Sequence, residues 1–226
     1  MKRLAIEILI LILVGVGSHF LFTGYLYPLM DMPSNGPVPV RTIIMVLIIT
    51  VFFKKSGHKW SDFGFKWPFK WWVLISAVLG FLAFKLLAMQ PFNDWLRQVL
   101  ALAPNDYSFF EHIEGNTAAL VLWLLVAWVS AGFGEEMVFR GYLMQRVAQV
   151  FGGTKKALII GLFVQAMIFG LGHAYAGWGA AVLAMTGALA TGAFVIITKR
   201  SIWPAIIVHG LWDSLAVILF YSQGSI

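Results

Sequence analysis

The sequence predicts an all-α protein, a polytopic membrane bundle of about seven transmembrane helices, within a range of about six to eight. Of its 226 residues, 60% are hydrophobic and only 12% are charged, whereas a soluble domain averages about 25% charged residues. Ionic side chains are therefore too few to solvate a globular surface, which excludes an ordinary soluble enzyme and a disordered chain. Ten Trp and nineteen Phe are typical of bilayer proteins. We expect a single integral membrane domain over residues 1–226.

The cysteine count and the charge balance narrow the chemistry further. The chain has no Cys, which excludes a disulfide framework, a thiolate nucleophile and a Cys-ligated metal site. A net charge of +6 could indicate nucleic-acid binding, but Lys and Arg also collect in the cytoplasmic loops of membrane proteins. Five Lys occur within residues 54–70, interleaved with Trp and Phe, which favours a loop lying on anionic headgroups. We expect the bilayer, and no nucleic acid, as a partner.

Three spans are predicted in the first half of the chain. The first run is too long for a signal peptide and lacks a clear cleavage site, so we expect it to be retained. Residues 31–39 carry Pro, Gly and Asn, which are turn residues, and they separate the first two spans. The spans are the run from Arg3 to about Met30, then about Val40 to Phe53, and about Trp71 to Met89.

The second half begins with a long polar stretch, residues 90–116, which is typical of an outer loop. Residues 117–151 form one apolar stretch of 35, interrupted by Gly132-Phe133-Gly134. One straight helix of that length would extend about 52 Å, beyond a bilayer core of about 30 Å. We therefore expect it to tilt strongly, project from the membrane or break near the glycines. Three more segments follow the turn at 152–156: about 157–173, 178–198 and 203–221.

The charge distribution predicts the orientation in the membrane. Basic residues concentrate in alternate loops, as the positive-inside rule requires of cytoplasmic segments. This pattern predicts a cytoplasmic N-terminus and, with seven spans, an external C-terminus. The basic residues placed inside are Lys2, Arg3, the lysines of 54–70, Lys155, Lys156, Lys199 and Arg200, whereas Arg41 and Arg97 are placed outside.

Ionisable residues within apolar segments are the candidate functional groups, because each costs about 2.5–3.5 kcal/mol at membrane depth. Glu135 and His173 each lie sixteen residues from the ends of the turn at 152–156, so helices would place both about 24 Å from it. His209 and Asp213 would lie about 14 and about 20 Å above the same side. The predicted cluster therefore converges on one layer and comprises Glu135, Glu136, Arg140, His173, His209 and Asp213.

Local spacing assigns partners within this cluster. Glu136 and Arg140 are i and i+4 on one helix, which predicts an ion pair. Glu135 points about 100° away and stays free for chemistry. His209 and Asp213 are also i and i+4, so the carboxylate can orient the imidazole. Each pattern alone has a structural explanation, as do Glu7 and His19 in the first span, but the joint pattern over three segments favours function.

Three motifs in this cluster resemble one protein family. Glu135-Glu136-Met137-Val138-Phe139-Arg140 resembles the EExxxR motif of the CPBP family, which contains the CAAX proteases and bacteriocin-processing enzymes. The segment from Phe169 to His173 resembles its FxxxH motif, and His209 to Asp213 resembles its third motif. The resemblance covers about residues 117–221. It implies an intramembrane endopeptidase acting on a membrane-associated peptide or protein, and eukaryotic members remove the last three residues of prenylated CaaX proteins.

The resemblance also implies roles for individual residues. Glu135 and His173 correspond to the residues taken to activate the attacking water, and His209 and Asp213 to those that stabilise the oxyanion. Glu136 and Arg140 support them. Asp213 stands where the prenyl proteases have Asn, and an ionised carboxylate cannot donate to an oxyanion. It would have to be protonated, orient His209 or bind a metal. The family's eukaryotic-type members have eight spans, whereas this sequence predicts seven. Together with Asp213 in place of Asn, this difference favours a prokaryotic-type member in the cytoplasmic membrane.

The sequence is compatible with more than one cofactor requirement and with more than one class of function. Glu135, His173, His209 and Asp213 form a legitimate zinc ligand set, whereas a metal-free site would use Glu135 as general base. The same buried groups could instead form a proton or ion path in a small transporter. A non-catalytic immunity or scaffold protein is the third class. The sequence shows no repeat symmetry, which a transporter would predict. A scaffold protein would be expected to lack at least one motif, and all three motifs are present.

Overall fold

The computed structural model describes residues 2–32, 36–67 and 70–223. Parts of the predicted loops 31–39 and 54–70 lie outside these ranges. The regular structure within them is helical. The long helices are α1 (Lys2–Leu29), α2 (Pro39–Ser56), α3 (Trp71–Val99), α4 (Thr117–Val150), α5 (Lys155–Leu171), α6 (Trp178–Ile197) and α7 (Trp203–Gln223).

Within the described ranges, five helices are long and apolar enough to cross a membrane: α1, α3, α4, α6 and α7. The protein is therefore an integral membrane protein, but the predicted count of seven spans is not confirmed. Helix α2 carries Arg41, Lys54 and Lys55 within its 18 residues. Helix α5 has 17 residues, about 25 Å of α-helix against a bilayer core of about 30 Å.

Helix α4 runs without a break through the glycines at 132 and 134. The sequence had allowed a break there as one of three alternatives, and that alternative is wrong. Its middle, Ala127–Leu143, winds as a π-helix of 17 residues. In this winding each N–H bonds to the carbonyl five residues back, which is rare and found mostly at functional sites. The wider turn takes in more residues than an α-helical turn. The motif residues of α4 therefore lie on a continuous helix of unusual winding.

Small residues bring α4 and α7 close together. A Cβ on Gly132 would lie 3.2 Å from the carbonyl oxygen of Ile206, and one on Gly210 would lie 2.8 Å from the ring of Trp128. Neither glycine could be enlarged without moving a neighbour. Close backbone approach of this kind is typical of membrane helix pairs. It places the α4 carboxylates beside the histidine of α7.

The loops separate to the two ends of the bundle. At one end, Ile202 N donates to Gly64 O (3.1 Å) and Ser201 Oγ to Lys66 O (3.3 Å), which joins the basic loop to the α6–α7 turn. At the opposite end of α6, Asp106 N donates to Ala176 O (3.0 Å). The two ends thus carry the loops that the charge pattern assigns to opposite sides of the membrane.

A buried carboxylate joins α1 to α4. The Tyr142 hydroxyl donates to Glu7 Oε2 (2.7 Å), and Arg3 Nε lies 3.1 Å from Glu7 Oε1. Arg146 Nε lies 3.6 Å from Glu7 Oε2, and its guanidinium stands 4.9 Å from the ring centroid of Phe63. Glu7 therefore has structural partners, which agrees with the structural interpretation of its position in the first span.

Candidate active site

A cavity of about 500 Å³ lies inside the bundle and is lined by residues from α2 to α7 and from the α5–α6 connection. It contains polar side chains from all three sequence motifs. Those that the spacing predicted and that line the cavity are Glu135, Arg140, His173, His209 and Asp213. Glu136, the remaining member of the predicted cluster, is fully buried behind them.

Glu136 forms the ion pair with Arg140 that the i, i+4 spacing predicted. Arg140 Nη1 lies 3.0 Å from Glu136 Oε1, and the two side chains are 2% and 0% exposed. The same oxygen also accepts a hydrogen bond from His209 Nδ1 (2.8 Å). Spacing along one helix could not reveal this contact, because the rotation of α7 against α4 depends on packing. Glu136 therefore fixes an imidazole as well as a guanidinium.

His209 is surrounded by carboxylates. Its Nε2 lies 3.4 Å from Asp213 Oδ2, the predicted i, i+4 partner, and 3.9 Å from Glu135 Oε2. Because the Glu136 carboxylate only accepts, Nδ1 carries a proton, and Nε2 faces the other two carboxylates. The α7 histidine is thus a fixed hydrogen-bond donor at the cavity wall.

His173 presents the opposite chemistry. Its Nδ1 donates to the carbonyl oxygen of Phe169 (2.8 Å), since a carbonyl can only accept. In the neutral imidazole Nε2 is then an unprotonated acceptor. The His173 ring stands 4.5 Å from the Phe169 ring, and the Arg140 guanidinium also lies 4.5 Å from that ring. The F-x-x-x-H spacing therefore sets both the tautomer and the orientation of His173.

A glycine allows the helix carrying His173 to pack closely. A Cβ on Gly170 would lie 2.6 Å from the carbonyl oxygen of Ala181 and 2.7 Å from Cβ of Met185. No larger residue fits between α5 and α6 at this level. The glycines before His173 predicted such a close approach.

The zinc alternative does not fit this arrangement of side chains. Within the described ranges, no group of three or more His, Asp or Glu side chains is placed to hold a metal ion. One imidazole nitrogen of His209 is committed to Glu136, and one of His173 to the Phe169 carbonyl. The proposed ligands share a cavity without forming a coordination shell; they are Glu135, His173, His209 and Asp213.

Several further polar residues line the cavity and were not among the predicted site residues, including Arg41, Lys85 and Tyr175. Lys85 is a charged residue inside the predicted third span, so the rule that selected Glu135 could have found it. The positive-inside pattern had placed Arg41 in an outer segment. Burial raises the pKa of the Tyr175 phenol, and the Glu135 carboxylate raises it further. Tyr175 is therefore a protonated donor at neutral pH.

Comparison with known families supports the motif assignment. The family model described as type II CAAX prenyl endopeptidase Rce1-like matches residues 117–215. Residues 117–215, which we call the CPBP segment, are therefore similar to the CPBP family. No curated protein and no solved structure matches the chain significantly.

The CPBP segment runs from α4 into α7 and includes Glu135, His173, His209 and Asp213. Similarity of this segment to a family of endopeptidases indicates a peptidase. Together with the five apolar helices, it fits a membrane-embedded protein that acts on peptide substrates. Arg41 and Lys85 come from helices outside the CPBP segment and contribute to the same cavity.

Proposed function

We propose that this protein is an intramembrane endopeptidase in which Glu135 and His173 activate the attacking water. The observation that carries the proposal is the shared cavity. Glu135, His173, His209 and Asp213 come from three motifs on separate elements and line one space inside the bundle. Positioned acid–base groups facing a confined cavity are what water-dependent amide hydrolysis needs.

Glu135 is the general base in this proposal because its neighbour Glu136 is committed to Arg140 and His209. Glu135 takes one proton from water, and the water oxygen attacks the carbonyl carbon. The π electron pair of the carbonyl moves to its oxygen. When the tetrahedral intermediate collapses, that pair reforms the C=O bond, the C–N bond breaks, and the leaving nitrogen takes the proton from Glu135.

His173 and His209 have different tasks because their proton positions differ. The free Nε2 of His173 accepts a hydrogen bond from the attacking water and orients it. The Nε2 of His209 donates toward the developing negative charge, while Glu136 holds the ring through Nδ1. Asp213 keeps His209 oriented and protonated from the same helix. These roles follow the order in which the motifs occur.

The substrate we propose is a membrane-associated peptide or protein, because the cavity lies among helices that are apolar enough to span a bilayer. The CPBP resemblance makes peptides with a prenylated C-terminal CaaX sequence the first candidates. Unprenylated membrane peptides are the second. The test should present both kinds to the enzyme in a bilayer.

The decisive experiment compares the wild-type protein with Glu135→Gln in proteoliposomes. Fluorogenic peptides ending in a CaaX sequence, with and without a farnesyl group, would report cleavage. Glu135→Gln keeps the side-chain shape and removes the basicity, so cleavage should fall by at least about 100-fold. Glu114→Gln changes an exposed loop carboxylate away from the cavity and is the matched control. A Glu135→Gln protein with wild-type activity would refute the proposal.

A further inference from the structure

Lys85 is an intramembrane cation that the three motifs do not include. It lies within the candidate span α3, at the start of a short π-helical turn, Lys85–Met89. Placing a lysine there costs about 2.5–3.5 kcal/mol by insertion scales, so its retention indicates a use. It lines the same cavity as Glu135, His209 and Asp213. Its position is therefore at the candidate active site and outside the CPBP segment.

The Lys85 ammonium is held by a contact that uses none of its N–H hydrogen-bond donors. Nζ lies 4.3 Å from the ring centroid of Trp212, a cation–π contact that fixes the end of the side chain. Lys85 forms no hydrogen bond or ion pair with any residue of the described ranges. Asp213 and Glu136 interact with it electrostatically at longer range. All of its N–H groups remain available to a ligand in the cavity.

Lys85 is one of three cations in a cluster that also contains three carboxylates. Glu135, Glu136 and Asp213 supply three carboxylates, which are balanced by Arg140, His209 and Lys85. Arg140 is committed to Glu136. An ionised Asp213 can only accept hydrogen bonds, and the Nδ1 proton of His209 is committed to Glu136. Of these three cations, Lys85 is therefore the one whose N–H donors are all uncommitted.

We propose that Lys85 stabilises the negative charge that develops on the substrate carbonyl oxygen during hydrolysis. The inference rests on the proposed endopeptidase function and adds a catalytic residue to it. An N–H of the ammonium donates a hydrogen bond to the oxyanion while the proton stays on Nζ. Trp212 is a positioning residue in this arrangement, because its ring fixes the end of the Lys85 side chain.

Substitution of Lys85 in the proteoliposome assay tests this role. Lys85→Met keeps the unbranched stem and removes the charge. Loss of one oxyanion donor should lower kcat by about 100- to 1,000-fold. KM should change by less than about threefold, because the contact forms only in the transition state. Lys85→Arg should retain more activity than Lys85→Met, and exposed Lys156→Met is the matched control.

Two further variants separate Lys85 from other donors. Arg41→Met removes another cation that lines the same cavity and should lower kcat less than Lys85→Met does. Tyr175→Phe removes a competing donor at the same cavity and should cost less than Lys85→Met. A larger loss in Tyr175→Phe or in Arg41→Met than in Lys85→Met would overturn the assignment of the oxyanion to Lys85.

A pair of peptides distinguishes the oxyanion from a carboxylate of the bound substrate. The Lys85→Met defect should be the same for a peptide with a free C-terminal carboxylate and for its C-terminal amide. A defect confined to the free carboxylate and expressed in KM would show ground-state binding and overturn the proposal. Activity of Lys85→Met equal to wild type would refute this inference alone, whereas activity of Glu135→Gln would refute the endopeptidase and the inference with it.

Discussion

His209 Nδ1 lies 2.8 Å from Glu136 Oε1, the same carboxylate oxygen that lies 3.0 Å from Arg140 Nη1. One buried atom therefore joins α7 to the guanidinium of α4. The two glutamates of the motif consequently divide their tasks. Glu136 is fully buried and holds two cations, whereas Glu135 faces the cavity with a side chain that is 13% exposed. Stability and catalysis should therefore respond differently to changes at the two glutamates.

Glu136→Gln should destabilise the protein far more than Glu135→Gln does. It leaves Arg140 buried without a carboxylate, and breaking one partner of a buried pair costs about 3–5 kcal/mol. Glu135 has its nearest cationic contact at 3.9 Å and faces the cavity, so its neutral variant should unfold close to wild type. Thermal unfolding of both variants in detergent measures the difference. Equal unfolding temperatures would contradict the division of tasks.

Gly210→Ala should reduce both stability and activity. The added Cβ would meet the Trp128 ring at 2.8 Å and force α7 away from α4. Overpacking of this kind costs about 1–3 kcal/mol, and it should also lengthen the contact between His209 and Glu136. Gly80→Ala is the matched control, because a Cβ there meets nothing within 4 Å. Detergent unfolding and peptide cleavage should both distinguish the two alanine variants, and matching behaviour would speak against close packing at Gly210.

Tyr142→Phe should lower stability without abolishing cleavage. It removes the hydroxyl that donates to Glu7, and a hydrogen bond to a charged group contributes about 1.5–3 kcal/mol. The contact lies at the junction of α1 and α4, outside the cavity lining, so kcat should stay within about threefold of wild type. Tyr25→Phe, at an exposed position, is the control for loss of a phenol. Inactivation by Tyr142→Phe would give Glu7 more than a structural role.

Reporter fusions at Lys59 and Asn105 should give signals from opposite sides of the membrane. Lys59 lies in the basic loop that packs against the α6–α7 turn, and Asn105 lies in the loop that packs near Ala176. The positive-inside rule places the Lys59 side in the cytoplasm. Alkaline phosphatase and green fluorescent protein fusions measure this directly. Signals from the same side would overturn the predicted topology.

Much of the site was predictable from helical spacing. The i, i+4 rule predicted the Glu136–Arg140 pair and the approach of Asp213 to His209, because both depend on one helix only. Equal distances from the turn at 152–156 indicated that α4 and α5 bring their ionisable groups to one level. The Glu136–Arg140 pair forms despite the π-helical winding of this part of α4.

Relations between helices were beyond the spacing rules. The Glu136–His209 hydrogen bond depends on how α7 is rotated and on the close contact at Gly132 and Gly210. The π-helical winding of Ala127–Leu143 leaves the apolar pattern of α4 unchanged and so gives no sequence signal. The count of seven spans is not confirmed, because α2 carries three basic residues and α5 is only 17 residues long.

The walls of the cavity come from more of the chain than the motifs do. A transplant of α4 to α7 into another scaffold would carry every motif residue but leave behind Arg41 and Lys85. It would also lose Thr42, whose Cγ2 lies 2.7 Å from where a Cβ on Gly134 would stand. Homologues with identical motifs could therefore select different substrates through α2 and α3 alone. Efforts to alter specificity should begin with those two helices.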